Sequence, residues 1–214
     1  MITDNTGDLD GEAFKRDLAV YVQDARDVLL WKLDGLDEYD VRRPLTPSGT
    51  NLLGLVKHVT AAEILYLGEA FGRPFPAPGL WITGDAEPDS DLWATPGESR
   101  EEIVDRYRAV WAHSDATIAG HSLHTTVEIP FGDRARQSLH RILVHLIAET
   151  HRHAGHADVV RELVDGTAGL RAGARAVAPG DAAVRAAHRA RVEEAARAAG
   201  QGRPAPGGAG SRAR

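Results

Sequence analysis

Four ionisable side chains fall on one side of a single stretch: His145, Glu149, His153 and His156, within SLHRILVHLIAETHRHAGHADVVRELV, residues 138–164. The stretch reads as one helix. Apolar residues recur at three- and four-residue spacing, no proline interrupts, and Gly166 follows the end. At about 100° per residue, Ile142, His145, Glu149, His153, His156, Val160 and Leu163 share one stripe, apolar at its ends and expected to face a core. Polar groups buried there are costly unless paired or bound. A divalent metal is the simplest partner, and Glu149 and His153, one turn apart, can both reach one ion at roughly 2.0–2.2 Å. The competing readings are a polar stripe lining a wet groove and histidines satisfied by hydrogen bonds in the core.

A further histidine, His58, is expected on a second helix, on a stripe shared with Asn51, Leu55, Ala62 and Leu65. Alone it reads as a satisfied core histidine; beside the later quartet it is a natural third ligand. Were His58, Glu149 and His153 to hold zinc, three protein ligands would leave a position open, as in catalytic sites. Two neutral imidazoles and one carboxylate would leave the ion a net charge of about +1. Such an ion can lower the pKa of water, polarise a carbonyl, or favour a thiol as its thiolate. His145 and His156 are the candidate catalytic residues, able to orient a ligand or act as base. They could also replace a ligand, since His-X-X-His at 153 and 156 is geometrically acceptable. Spacing alone leaves these alternatives open.

The elements that must position these residues follow from periodicity. A first helix is predicted from Glu12 to about Leu33, with Phe14, Leu18, Tyr21, Val22, Ala25, Val28, Leu29 and Leu33 at helical spacing and Gly35 ending it. The connector LDEYDVRRPLTPSGTN resists helix at Pro44 and Pro47. A second helix is expected from Leu52 to Ala70, with Lys57, Thr60 and Glu63 off the His58 stripe. Residues 71–95 form a long connection with Phe71, Phe75, Trp81 and Trp93 in or beside it, a length that suits a functional or mobile loop. Those aromatics either cover a pocket or pin the loop. Thr95-Pro96-Gly97-Glu98 is the expected start of a third helix reaching Ala119, with Ile103, Tyr107, Val110, Trp111, Ser114 and Ile118 inward. Between 121 and 137 a short extended piece with a turn at Gly132-Asp133 is expected. The body is thus all-α: a four-helix bundle with a long connection between helices 2 and 3, a fold that places metal sites between facing helices.

Composition sets the outer bounds. The chain of 214 residues is 43% apolar and 26% charged, which suits a globular protein with a sizeable core. No run of 18 apolar residues offers a membrane span. The acidic, polar N-terminus is unlike a signal peptide, so the cytoplasm is the expected location. The absence of cysteine excludes disulfides, zinc-thiolate ligation and a cysteine nucleophile within these residues, so any thiol chemistry needs an external thiol. From Leu170 to Arg214 nine arginines face three carboxylates, a net of +6, leaving −12 on residues 1–169. That acidic body argues against nucleic-acid binding there. The division expected is a disordered N-terminus over 1–11, a metal-binding bundle over 12–168, and an Ala/Arg/Gly-rich tail over 169–214, helical in part over Asp181–Ala199.

The stretches SGTNLLGLVKHVTAAEILYLGEAFG and RILVHLIAETHRHAGHADVVREL, with DLWATPGESREEIVDRY between them, resemble the DinB-like superfamily of metal-binding four-helix bundles over residues 12–168. The likeness is greatest to an actinobacterial branch near the mycothiol-dependent maleylpyruvate isomerases and mycothiol transferases. Many members carry His-X-X-X-His on the last helix. The isomerase-like branch carries Glu-X-X-X-His, which Glu149-Thr-His-Arg-His153 matches, while LVKHVTAAE aligns His58 as the helix-two ligand. The resemblance therefore implies His58, Glu149 and His153 as metal ligands and His156 as a neighbour. It implies a divalent cofactor, Zn2+ or another such as Ni2+ or Fe2+. It further implies a thiol S-transferase that activates a low-molecular-weight thiol such as mycothiol for attack on a small electrophile. Ala/Arg/Gly-rich composition suits a high-GC actinobacterium, where mycothiol is the available thiol. A hydrolase using zinc-bound water and a non-enzymatic metal-binding stress or interaction protein are the alternatives. A homodimer is compatible with a bundle of this size.

Overall fold

The computed structural model describes residues 9–77, 79, 81, 86–130, 135–171 and 182–201. The residues up to Ala176 form one unit and those from Val177 a second. In the first unit, helix α1 spans Leu9–Trp31, a short α2 spans Glu38–Arg42, α3 spans Leu52–Glu63, α4 spans Arg100–Gly120 and α5 spans Leu139–Asp165. Strands β1, Thr126–Glu128, and β2, Arg136–Ser138, pair antiparallel just before α5, with Val127 opposite Gln137. The expected extended piece is therefore a two-stranded hairpin; its expected turn, Gly132-Asp133, lies outside the described residues, as do residues 1–8.

Helix ends obey their local chemistry. The Asn51 side chain caps α3 by accepting from the Gly54 N–H at 2.8 Å, and the Ser138 hydroxyl caps α5 by accepting from Arg141 N–H at 3.2 Å. Gly166 closes α5 at φ +76°, its N–H donating to the Glu162 carbonyl at 2.9 Å. The start of α4 is four residues later than the predicted Thr95-Pro96. Ser99 and Glu102 form a reciprocal capping box. Glu98 is drawn out of the helix because its carboxylate accepts from both the Thr95 N–H and Lys57. The second predicted helix has the expected extent but not the expected regularity. After Glu63 the backbone widens to a π-helical turn over Ile64–Gly68, then tightens to a 3-10 turn over Glu69–Phe71.

Helix α1 packs on α5 and α4, and α3 on α4 and α5, so the four long helices enclose two apolar clusters. One gathers Leu29, Leu33, Leu53, Val56, Ile103 and Tyr107; the other gathers Val22, Leu67, Ile118, Leu139, Ile142 and Leu146. Phe14 and Tyr21, expected on the inner face of α1, are 60% and 58% exposed, while Val22, Ala25, Val28 and Leu29 are buried. Between the clusters lies a buried ion pair. Arg26 of α1 grips Glu63 of α3 with two parallel bonds, Nε to Oε1 at 2.9 Å and Nη2 to Oε2 at 2.6 Å, and its Nη1 reaches Asp115 of α4 at 2.8 Å. Thr60 and Lys57 are likewise buried, so the side of α3 away from His58 faces protein.

On α5 the buried residues are Leu139, Leu143, Leu146, Thr150, His153, Ala157 and Val160, alternating four- and three-residue steps, flanked by Ile142, Ala154 and Arg161. This seam is rotated from the stripe predicted. His153 and Val160 belong to it, Ile142 flanks it, Glu149 sits at its margin, and His145, His156 and Leu163 are exposed. The helical wheel gave the quartet's residues the centre of the buried face, but the helix turns its more numerous aliphatic residues inward and leaves the ionisable side along a groove.

The second unit contains α6, Ala182–Gln201, close to the predicted Asp181–Ala199. Its described side chains are all exposed, in keeping with a run of alanine, arginine and glutamate. Among the described residues, no helix is long and apolar enough to cross a membrane.

Candidate metal centre

His58 reaches the site from the second turn of α3, and Glu149 and His153 from the middle of α5. His58 Nε2 lies 3.6 Å from Glu149 Oε1, and His153 Nε2 lies 2.9 Å from the same oxygen. The His58 and His153 rings meet edge to face, centroids 4.6 Å apart. One ligand atom from each of the three lies within 4.8 Å of the others, and they form the described cluster able to hold a metal ion. Donor atoms sharing one ion at about 2.0–2.1 Å sit about 3–3.5 Å apart, and the two measured separations fall just either side of that range. The donor set, two imidazoles and a carboxylate, suits a divalent transition metal such as zinc.

The imidazoles are tuned in opposite directions. The carboxylate of Asp91, 2.7 Å from His58 Nδ1, raises the pKa of His58 against the opposing effect of burial. An ionised carboxylate only accepts, so Nδ1 carries the proton and Nε2 is left facing Glu149. Asp91 in turn is held below its usual range by that hydrogen bond. His153 is lowered, chiefly by burial, which keeps it neutral and available as a ligand. Its Nδ1 is buried without a partner, so it lacks the orienting carboxylate that His58 has. Burial pushes Glu149 up, but His153 and His58 outweigh it and hold it below the usual carboxylate range.

Asp91 is the residue that sequence reasoning missed. It lies in the long connection between α3 and α4, 33 residues from His58. Only a fold brings the two together; the one local signal was a loop too long to be a mere link. The connection is fastened hard over residues 89–98. Lys57, buried in α3, donates to the carbonyls of Ser90 at 3.0 Å and Trp93 at 2.7 Å and pairs with Glu98 at 2.8 Å. Asn51 Nδ2 donates to the Leu92 carbonyl at 3.0 Å. Asp89 takes φ +61°, a left-handed turn that an aspartate tolerates, just before Asp91. Trp81 lies beneath the Lys57 ammonium, 5.1 Å from its ring centroid, and Phe75 packs edge-on against His113, so these aromatics help to pin the connection. Trp93 instead is 48% exposed and lines a cleft of about 490 Å³ beside His153 and His156.

The candidate catalytic histidines flank the triad. His156 lies against His153, ring centroids 5.3 Å apart, at the edge of that cleft. His145 lies on the other side, 4.8 Å from the ring of Tyr66, which sits in the π-helical turn. A larger groove, about 1040 Å³, lies between α1, α2 and α4, lined by Trp31, Asp34 and Arg108 and by none of the histidines. Chemistry, not size, picks the site.

A family model described as mycothiol-S-transferase matches residues 17–166, which cover all four bundle helices and the triad. No curated protein matches the chain. The chain belongs to the mycothiol-S-transferase family.

Proposed function

We propose that this member of the mycothiol-S-transferase family is a metal-dependent enzyme that transfers the sulfur of mycothiol to a small electrophile, with His58, Glu149 and His153 as metal ligands. The observation that carries the reading is the convergence of three metal-ligating atoms from two helices in a chain with no cysteine of its own. A divalent cation held by these residues, zinc in the first instance, lowers the pKa of a thiol brought against it and so supplies the nucleophile at neutral pH. The protein's own groups do the rest. Asp91 fixes the tautomer and direction of the His58 ring. Burial keeps His153 unprotonated. Glu149 adds one negative charge, leaving enough positive charge to favour a thiolate. His156, at the edge of the cleft, is placed to take the thiol proton, and His145, beside Tyr66, to steady the thiol's polar body.

The test is metal content and thiol consumption measured together. Wild type should carry about one divalent ion per chain and consume mycothiol with an alkylating electrophile only when loaded. Glu149→Ala should carry none and lose at least about a hundredfold in kcat/KM. Thiol consumption by the chelated protein at the loaded rate would sink the metal role. Full loading with no consumption of mycothiol would sink the transferase reading.

A further inference from the structure

From the chemistry of the cleft beside His153 we infer the class of the second substrate: an electrophile carrying a flat, apolar ring, which packs on Trp93. The inference rests on the transferase reading above. The cleft of about 490 Å³ runs between the connector after α2 and residues 89–93, with His153 and His156 at its inner edge. Of its polar residues, Asp89 and His156 are exposed, and three others are already occupied. Arg42 donates to Glu38 at 2.8 Å, to the Thr95 carbonyl at 3.2 Å and to the Glu98 carbonyl at 2.8 Å. Asn51 is spent on the Gly54 N–H and on the carbonyls of Gly49 and Leu92. The Ser48 hydroxyl lies between those of Thr46, at 3.0 Å, and Thr50, at 3.4 Å.

The rest of the lining is apolar. Leu55, Leu92, Pro44 and the Trp93 indole line the same cleft. Trp93 is nearly half exposed, yet its backbone is not free to move, because Lys57 holds its carbonyl at 2.7 Å. A partly uncovered indole beside aliphatic walls offers a flat apolar face on which a planar ring can stack. This face is assigned to the electrophile, and mycothiol is the rival occupant that the test separates from it. In the reaction the thiol sulfur forms a bond to the electrophilic carbon. The carbon–chlorine bond of a chloroacetamide breaks, chloride leaves with its electron pair, and the thiol proton passes to His156 and from it to solvent.

Two electrophiles with the same reacting carbon and leaving group test this: chloroacetamide and its N-naphthyl derivative, each with mycothiol and the metal-loaded protein, corrected for the uncatalysed rate. The naphthyl compound should be the better substrate, and Trp93→Ala should lower the ratio of the two kcat/KM values by about tenfold or more. Trp93→Phe should keep most of that ratio, which guards against a fold defect. An unchanged ratio in Trp93→Ala overturns the inference. So does a rise in the KM for mycothiol that is equal with both electrophiles, which would assign the cleft to the thiol. If neither electrophile is consumed by wild type, the transferase reading fails, and naphthol binding by calorimetry then decides the cleft. Binding weakened about tenfold in Trp93→Ala upholds the aromatic site, and equal or absent binding in both proteins ends it.

Discussion

At the scale of single residues, the site is governed by one hydrogen bond that no ligand pattern contains. Asp91 both aims His58 and raises its pKa. In the metal-free protein the sign of its effect on stability follows directly. The pKa of His58 is raised on folding, so its contribution is complete below the unfolded value near 6.5 and is lost as pH rises through the raised folded value. The pKa of Asp91 is lowered, so its contribution is present above 3.8 and is lost as pH falls through the depressed value. The His58–Asp91 pair should therefore stabilise the chelated protein most between about pH 4 and 6.5, against His153, whose lowered pKa costs stability as pH falls below about 6.5, and Asp91→Asn should remove the pair's contribution. The same substitution should weaken metal binding by about 10–100-fold, because the ring loses its orienting partner. Thermal melts across pH and a metal titration check both; a pH profile equal to that of wild type would remove Asp91 from the site. Spacing made Glu149, His153 and His58 candidate ligands among several histidines, and only the family resemblance singled out these three, which the structure brings together. Asp91 was not legible, since nothing local marks which carboxylate of an acidic loop will fold back onto a histidine.

At the scale of elements, α3 is the organiser. Within eight residues it supplies the cap Asn51, the close-contact Gly54, the buried Lys57 and the ligand His58. A side chain at 54 has no room: a Cβ there would lie 1.8 Å from the Leu92 carbonyl oxygen and 2.4 Å from its carbon. Gly54→Ala should therefore push residues 89–93 off the helix. It should cost roughly 1–3 kcal/mol of stability and weaken metal binding as Asp91 retreats. Denaturant melts and a metal titration of the variant read both effects, and wild-type values in each would mean that the connection is not fixed there. Periodicity placed the four long helices to within a few residues, because each buries an apolar face. It misjudged the start of α4, where Glu98 serves Lys57 instead of the helix. It also misjudged the rotation of α5, where aliphatic residues outnumber the ionisable ones and take the core. The π-helical turn after Glu63 leaves no periodic trace in a run as apolar as ILYLG.

At the scale of the whole molecule, the apolar seams are interchangeable but the charges inside them are not. Arg26, Glu63 and Asp115 join α1, α3 and α4, with Arg26 and Glu63 each 1% exposed. Removing one partner strands a buried charge, so Glu63→Leu should cost about 3–5 kcal/mol. Replacing both, as Arg26→Met with Glu63→Leu, should restore stability to within about 1–2 kcal/mol of wild type or raise it. Urea melts of the single and double variants check the pair; equal losses in both would mean that packing, not charge, sets the cost. The sequence announced an all-α body and a tail of different composition, because apolar periodicity ends near Gly166. It could not announce this triad of charges, whose members lie 37 and 89 residues apart.

That ion pair also acts as a key in a lock. Aliphatic seams that repeat every seven residues fit nearly as well after sliding by one repeat, and a bundle held by them alone would be free to slip. A fork of two bonds does not slide: one repeat away, Arg26 would face aliphatic side chains and Glu63 would lose the cation it is paired with. Glu63 and His58 ride the same helix, five residues apart. The same lock that stops α3 from creeping along α1 thus decides which turn of α3 stands opposite Glu149. A charge pair that touches neither metal nor substrate is, in this sense, the datum from which the reactive centre is measured.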